Sequence, residues 1–155
     1  MSTPLVIGSL EQARSLVNQQ AGISDWVVIS QRNIDQFADL VEDHQWIHID
    51  QLRAQTESPF GGTIAHGFLT LSQLTRLALT ATTVKIGAKT LINYGFNKVR
   101  FVSPVLAGSK VRGKFVLAAV KEIEGGYELI WNVTVEVEGR EKPAVVAEWL
   151  ARGYF

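Results

Sequence analysis

An α+β fold, with an antiparallel sheet wrapped around one long central helix, is what this sequence predicts, on three patterns. Ile64, Phe68, Leu71, Leu74, Leu77 and Ala78 are apolar at i, i+3, i+4 spacing. Leu69 and Leu79 carry the apolar surface around the rest of the cylinder, as in a helix buried on all sides. From Tyr127 to Val137 the period switches to two. Tyr127, Leu129, Trp131, Val133, Val135 and Val137 alternate with Glu128, Asn132, Thr134 and Glu136, the signature of a strand with one face on a core. The turn signals Glu124-Gly125-Gly126 and Glu138-Gly139-Arg140 join that strand to a neighbour on each side, which makes an antiparallel meander.

In chain order, Ser9-Leu10-Glu11-Gln12 reads as a capping box: Ser9 is the N-cap and Gln12 reaches back. Leu10, Ala13, Leu16 and Val17 follow at helical spacing, and Gly22 is expected to end that helix. Trp26 to Ile29 is a short apolar strand. Ser30 caps a second helix with Ile34, Phe37, Ala38 and Val41 on one face, running out at Asp43. Asp43 to Gly62 reads as loop, since Ser58-Pro59-Phe60-Gly61-Gly62 is dense in breakers. The central helix is expected from Thr63 to about Thr82, then strands over Thr90 to Val102, Val111 to Val120, Tyr127 to Val137 and Ala144 to Leu150. No repeat, low-complexity tract or linker divides the chain, so one domain over residues 1–155 is expected.

Bulk properties narrow the function classes. The 155 residues are 46% hydrophobic and 19% charged, a globular composition, and 15 basic side chains balance 15 acidic ones. That balance argues against a strongly basic nucleic-acid surface and fits a chain that hides surface in an oligomer. There is no cysteine, hence no disulfide, thiolate metal site or cysteine nucleophile. Met1 to Gly8 lacks a basic segment followed by a long apolar run, and nowhere do ~18 continuous apolar residues occur. The expectation is a soluble, cytoplasmic protein with no membrane association.

The chemistry concentrates in Val41-Glu42-Asp43-His44-Gln45-Trp46-Ile47-His48-Ile49-Asp50, which holds two of the three histidines beside several carboxylates. If Asp43 and His48 converge, they can share a water, take its proton and pass one back. The alternative is a helix-end carboxylate and a loop histidine bonded to backbone. His44 and His48 have metal-like i, i+4 spacing, but Gln45 stands where a His-Glu-x-x-His motif has its glutamate. No clear third ligand follows, so neither a metal nor a cofactor is expected. His66-Gly67 opens the central helix, where the free N–H groups of a first turn suit an oxyanion or a polarised thioester carbonyl. The plainer reading is that Gly67 allows tight packing and His66 caps. Lys98 and Arg100 read either as phosphate contacts at a pocket rim or as a solvated strand edge.

Asp43-His44-Gln45-Trp46-Ile47-His48, Pro59-Phe60-Gly61-Gly62 and Ile64-Ala65-His66-Gly67-Phe68 together resemble the MaoC-like dehydratases, the (R)-specific enoyl-CoA hydratases. Asn93-Tyr94-Gly95-Phe96-Asn97-Lys98-Val99-Arg100-Phe101 and Pro104-Val105 resemble the single-domain branch that includes nodulation protein N-like proteins. The resemblance runs from about Ser30 to the last strand. It implies a hot dog fold, a homodimer with sheets joined edge to edge, and reversible hydration of trans-2-enoyl-CoA to (R)-3-hydroxyacyl-CoA. An acyl carrier protein thioester is an alternative substrate form.

In that family's Asp-x-x-x-x-His motif, Asp43 and His48 are the catalytic pair, and the Gly67 N–H binds the thioester oxygen. Ser72 falls where some members place a serine facing the site. Gln45, His66 and Arg100 complete the expected substrate-binding set. Many members have Asn then Pro where this chain has Gln45 and Trp46. The longer amide arm changes the contact at that position and leaves the Asp/His chemistry in place. Two competing expectations are a hot dog acyl-CoA thioesterase and a non-catalytic acyl-CoA-binding or partner-dependent subunit.

Overall fold

The computed structural model describes residues 3–155. Met1 and Ser2, part of the segment read as lacking a leader, lie outside them. After the short strand β1 (Leu5–Ile7), the capping box forms at Ser9. Its hydroxyl accepts the Gln12 N–H at 3.1 Å, and Gln12 Oε1 accepts the Gly8 N–H at 2.8 Å. Helix α1 (Leu10–Ser15) nonetheless stops seven residues before Gly22. Asn18 turns the chain at φ 64°, and Gln20–Ile23 becomes strand β2. Gly22 is needed for another reason: a Cβ there would lie 2.3 Å from the Ala81 carbonyl oxygen.

Strand β3 (Val27–Val28) leads into α2 (Gln31–Val41), which starts on a reciprocal Ser30/Asn33 capping box and ends where Glu42 takes a left-handed φ of 57°. The expected loop after Asp43 contains two short helices, α3 (Trp46–Ile49) and α4 (Gln51–Glu57). Asp50 caps α4 by accepting the Arg53 N–H at 3.0 Å. Each is too short to announce itself by periodicity, and each is held by its neighbours rather than by intrinsic propensity.

The central helix begins at Gly67, four residues later than expected, and runs as α5 (Gly67–Ser72) and α6 (Leu74–Ala81). The junction is one tightened turn: Gln73 N–H bonds the Thr70 carbonyl three residues back, and Leu77 N–H then bonds the Gln73 carbonyl. The helix is not buried all round. Leu69, Leu74, Leu77 and Ala81 face the core, but Phe68 and Leu79 stand 69% and 70% exposed.

Strand β4 (Thr82–Val84) pairs parallel with β1. The main sheet adds β5 (Thr90–Phe101), β6 (Lys110–Ile123), β7 (Gly126–Val137) and β8 (Val145–Tyr154), in the order β2-β6-β7-β8-β5, with β3 also on β6. All of its pairings are antiparallel. The inward residues of β7 alternate as the sequence predicts. Leu129, Trp131, Val133 and Val135 meet Phe115 of β6 and Trp149 of β8, with Phe115 edge-on to Trp131 at 6.4 Å. Among the described residues strand β5 is an edge, paired only with β8, and it exposes Leu91, Ile92, Tyr94, Phe96 and Phe101. Among the described residues no helix is long and apolar enough to cross a membrane.

Candidate functional site

Three segments converge at the start of the central helix: the α2–α3 connection with Asp43, the short helix α3 with His48, and the turn into α5 with His66 and Gly67. His48 is buried, 6% exposed, and its Nδ1 lies 2.7 Å from the Ile64 carbonyl oxygen. A carbonyl oxygen can only accept, so Nδ1 carries the hydrogen and the neutral ring keeps its lone pair on Nε2. Burial is the main cause that holds the His48 pKa below the ordinary histidine value. The Ile64 hydrogen bond opposes this, the neighbouring His66 adds to it, and the Asp43 carboxylate opposes it. The ring therefore favours its neutral, proton-accepting form.

His66, 4% exposed, stacks on His48 with ring centroids 3.7 Å apart and 23° between planes. Phe37 of α2 packs on its other side at 5.2 Å. His66 Nε2 donates to the Asp43 backbone carbonyl at 3.0 Å, and its buried Nδ1 has no hydrogen-bond partner among the described residues. The Asp43 side chain is half exposed, with Oδ2 3.9 Å from His66 Nε2. Asp43 Oδ1 accepts the Gln45 N–H at 3.3 Å. One titratable atom from each of Asp43, His48 and His66 lies within 4.8 Å of the others. The expected Asp43/His48 pair thus converges, with a second imidazole between helix and loop.

The same three groups make a poor metal cage. The Asp43 carboxylate lies 3.9 Å from His66 Nε2, the nitrogen already bonded to the Asp43 carbonyl, and not beside the free nitrogen of that ring. Nearly parallel stacked rings also direct their in-plane lone pairs side by side rather than toward one centre.

Gly67 is the first residue of α5, and its N–H belongs to a first turn without intrahelical partners. A Cβ at this position would lie 3.0 Å from the Phe101 ring of β5. Close packing therefore explains the glycine, and it leaves the N–H in place for chemistry. The remaining expected residues are more scattered. Gln45 is exposed at the start of α3. Ser72 lies at the far end of α5, about 7.5 Å along the axis from Gly67, and its hydroxyl donates to the Leu69 carbonyl at 2.7 Å. Arg100 is exposed on β5, with Nη1 donating to the Val99 carbonyl at 2.8 Å. His44 turns away to Asp39, Nε2 to Oδ1 2.8 Å.

Two hollows adjoin the cluster and the helix. A recess of about 260 Å³ beside Gly67 is lined by Phe60, Ile64, Thr70, Phe101 and Pro104. Farther along, α6 and the sheet line an open apolar pocket of about 320 Å³ among Ala78, Leu91, Phe115, Trp131 and Trp149. One residue near the site was not expected at all: Gln31, the first residue of α2, whose side chain reaches the His48 carbonyl at 2.7 Å. Its local pattern marks only a helix start, and nothing in the sequence shows that the α2 N-terminus returns to residue 48.

The chain matches the family described as MaoC like domain over residues 12–138. It is 48% identical over 149 residues to nodulation protein N of Rhizobium meliloti (strain 1021), covering 95% of this chain and 92% of that protein. It is also 48% identical over 145 residues to 3-hydroxyacyl-thioester dehydratase Z of Mycobacterium tuberculosis (strain ATCC 25618 / H37Rv), covering 93% and 95%. Among solved structures, the (R)-hydratase from A. caviae involved in PHA biosynthesis superposes with a TM-score of 0.66 at 25% identity, covering 87% of this chain and 94% of that one. The monoamine oxidase regulatory protein from Archaeoglobus fulgius superposes with a TM-score of 0.76 at 19% identity, over 98% and 97%, a likeness of fold.

Proposed function

The chain belongs to the MaoC-like family of hot dog dehydratases, and from that premise we propose that it reversibly adds water to a trans-2-enoyl thioester, giving the (R)-3-hydroxyacyl thioester. The observation that carries this reading is the state of His48: buried, held as the Nδ1–H tautomer by Ile64, and close to the Asp43 carboxylate. Asp43 and His48 Nε2 hold one water between them. As its oxygen bonds C3, the pair takes one of its protons. The C2–C3 π electrons shift toward the thioester carbonyl, and the negative charge on that oxygen is met by the Gly67 N–H at the positive end of the helix. Protonation of C2 by the pair completes the addition, and dehydration is the reverse sequence.

The carrier is coenzyme A, with an acyl carrier protein as the other source of the same thioester. The acyl chain enters the apolar pocket between α6 and the sheet, and Arg100 meets phosphate at the rim. Gln45 and Ser72 border the path, and His66 backs the pair. Residues 1–155 work as one domain, and two copies join along the free edge of β5. The exposed apolar residues of that twelve-residue edge support the pairing.

The test is ultraviolet loss of the conjugated thioester with crotonyl-CoA and a longer enoyl-CoA. Wild-type protein is expected to consume both, and Asp43→Asn to lose about 10² to 10⁴ in rate. Unchanged turnover in Asp43→Asn would overturn the roles assigned here. Thiol release from a saturated acyl-CoA, without hydration, would point to a thioesterase instead.

A further inference from the structure

We propose that Gln31 is a positioning residue that sets the protonation geometry of His48 from outside the reacting pair. The inference rests on His48 acting as the base. Two segments fix the His48 ring: α3, which carries it, and residues 63–64, whose Ile64 carbonyl holds its Nδ1–H. Gln31 is bonded to both. Its Nε2 donates to the His48 carbonyl at 2.7 Å, and its Oε1 accepts the Thr63 hydroxyl at 2.5 Å. The second Nε2 hydrogen goes to Asp35 Oδ1 at 2.7 Å, one turn along α2. The amide cannot be reversed, because its nitrogen faces two acceptors and its oxygen faces a hydroxyl donor.

The consequence follows from geometry. Thr63 is buried and directly precedes Ile64. Ile64 N–H also bonds the Ile47 carbonyl at 3.0 Å, so the two segments touch at the backbone beside the ring. That single main-chain bond leaves a hinge. The Gln31 bridge supplies a second point of attachment, and the capping box at Ser30 anchors Gln31 to the start of α2. With two points fixed, the Nδ1–H to Ile64 distance stays at hydrogen-bond length. With one, the segments separate and the ring is free to adopt the Nε2–H tautomer that imidazole favours in water. That tautomer has a hydrogen where the base needs a lone pair. The charged and titratable groups around the ring are Asp43 from the connecting loop, His66 from the start of α5, and Asp35 behind Gln31 on α2. None of them is removed by changing Gln31, so a change in His48 would report the bridge itself.

The test uses Gln31→Leu, which keeps a branched side chain one atom shorter and makes no hydrogen bond, with Thr63→Val and Thr63→Ser as a second pair. Nitrogen-15 spectra of the three imidazoles, one of them His48, read the neutral tautomer directly. In wild-type protein and Thr63→Ser, His48 is expected as Nδ1–H. In Gln31→Leu and Thr63→Val the Nε2–H form is expected to gain population, with the circular dichroism spectrum unchanged. In crotonyl-CoA hydration the same two variants are expected to lose about 10- to 100-fold in kcat with little change in KM, as for other small misplacements of a reacting group. Thr63→Ser should keep the wild-type rate. If Gln31→Leu leaves both tautomer and kcat unchanged, the proposal is wrong. Should Gln31→Leu fail to fold, equal tautomers in Thr63→Val and Thr63→Ser would overturn it. If wild-type protein does not hydrate crotonyl-CoA, the hydratase reading fails, while the imidazole spectra still decide what Gln31 does.

Discussion

Strand β7 buries Leu129, Trp131, Val133 and Val135 between two hydrogen-bonded neighbours, whereas the stretch from Asp43 to Gly67 buries two imidazoles among carbonyl oxygens. The first arrangement is favourable throughout. Each inward side chain removes apolar surface from water, worth roughly 1.5–3 kcal/mol when fully buried, and the ladder satisfies the backbone on both sides. The second is costly. Among the described residues His66 Nδ1 is buried without a hydrogen-bond partner, and His48 is held where its charged form is disfavoured. The sheet supplies rigidity, and the site uses it to keep polar groups where water alone would not leave them.

Changes that separate the two regions sharpen this contrast. The largest effect on chemistry is expected from Asp43→Asn. A rate loss of 10² to 10⁴ corresponds to about 3–5 kcal/mol of barrier, with the melting temperature little changed because the side chain is half exposed. Leu117→Ala, on β6 beside Trp131 and outside the lining of the acyl pocket, should do the opposite. It is expected to cost about 2–5 kcal/mol of stability in denaturant titration, while turnover per folded molecule stays at the wild-type level. A large fall in its kcat would mean that the sheet and the site are not separable.

Gly67→Ala lies between these extremes. The new methyl would press on the Phe101 ring at 3.0 Å, an overpacking worth about 1–3 kcal/mol, and should lower both stability and activity. Adding Phe101→Ala should restore stability. If activity returns with it, the glycine is needed for space alone; if not, the first-turn N–H has been misaimed.

The smallest expected effect is a pH dependence. His48 has a folded pKa below its unfolded value near 6.5, so the unfolded chain binds more protons in that window. Stability is therefore full above about pH 6.5 and declines as pH falls toward the lowered value. Thermal melts between neutral and mildly acidic pH should show a shallower decline in His48→Gln than in wild-type protein.

How much was legible in the sequence follows the same division. Alternation over Tyr127 to Val137 and the flanking glycine turns made the meander readable, because a period of two is a property of the strand alone. Asp43, His48 and His66 were readable as chemistry because few residue types can move a proton. Their company was not readable. The partners of His48 are a backbone carbonyl and, through Gln31, a side chain seventeen residues away, and neither has a local pattern. The sequence pattern starts the central helix four residues early, because Ile64 continues its apolar periodicity while the backbone bonds of Thr63, Ile64 and Ala65 go to Ala107, Ile47 and Val105 instead. The exposed Phe68 and Leu79 show that an apolar cylinder in sequence records what must be covered eventually, not what this chain covers by itself.

The meeting of β2 with the end of α6 carries a consequence for how the sequence tolerates change. At Gly22 the two backbones approach so closely that even a methyl group would overlap the Ala81 carbonyl. No rotamer relieves that overlap, because the obstacle is main chain. Gly67 is different: its neighbour is a side chain, and side chains can be exchanged. In any survey of sequence variation, position 22 would therefore be as intolerant as position 43 while taking no part in the reaction, and position 67 would vary only in step with position 101. Invariance at the first records the shape of the chain, invariance at the second its chemistry, and covariation at the third an agreement between two surfaces.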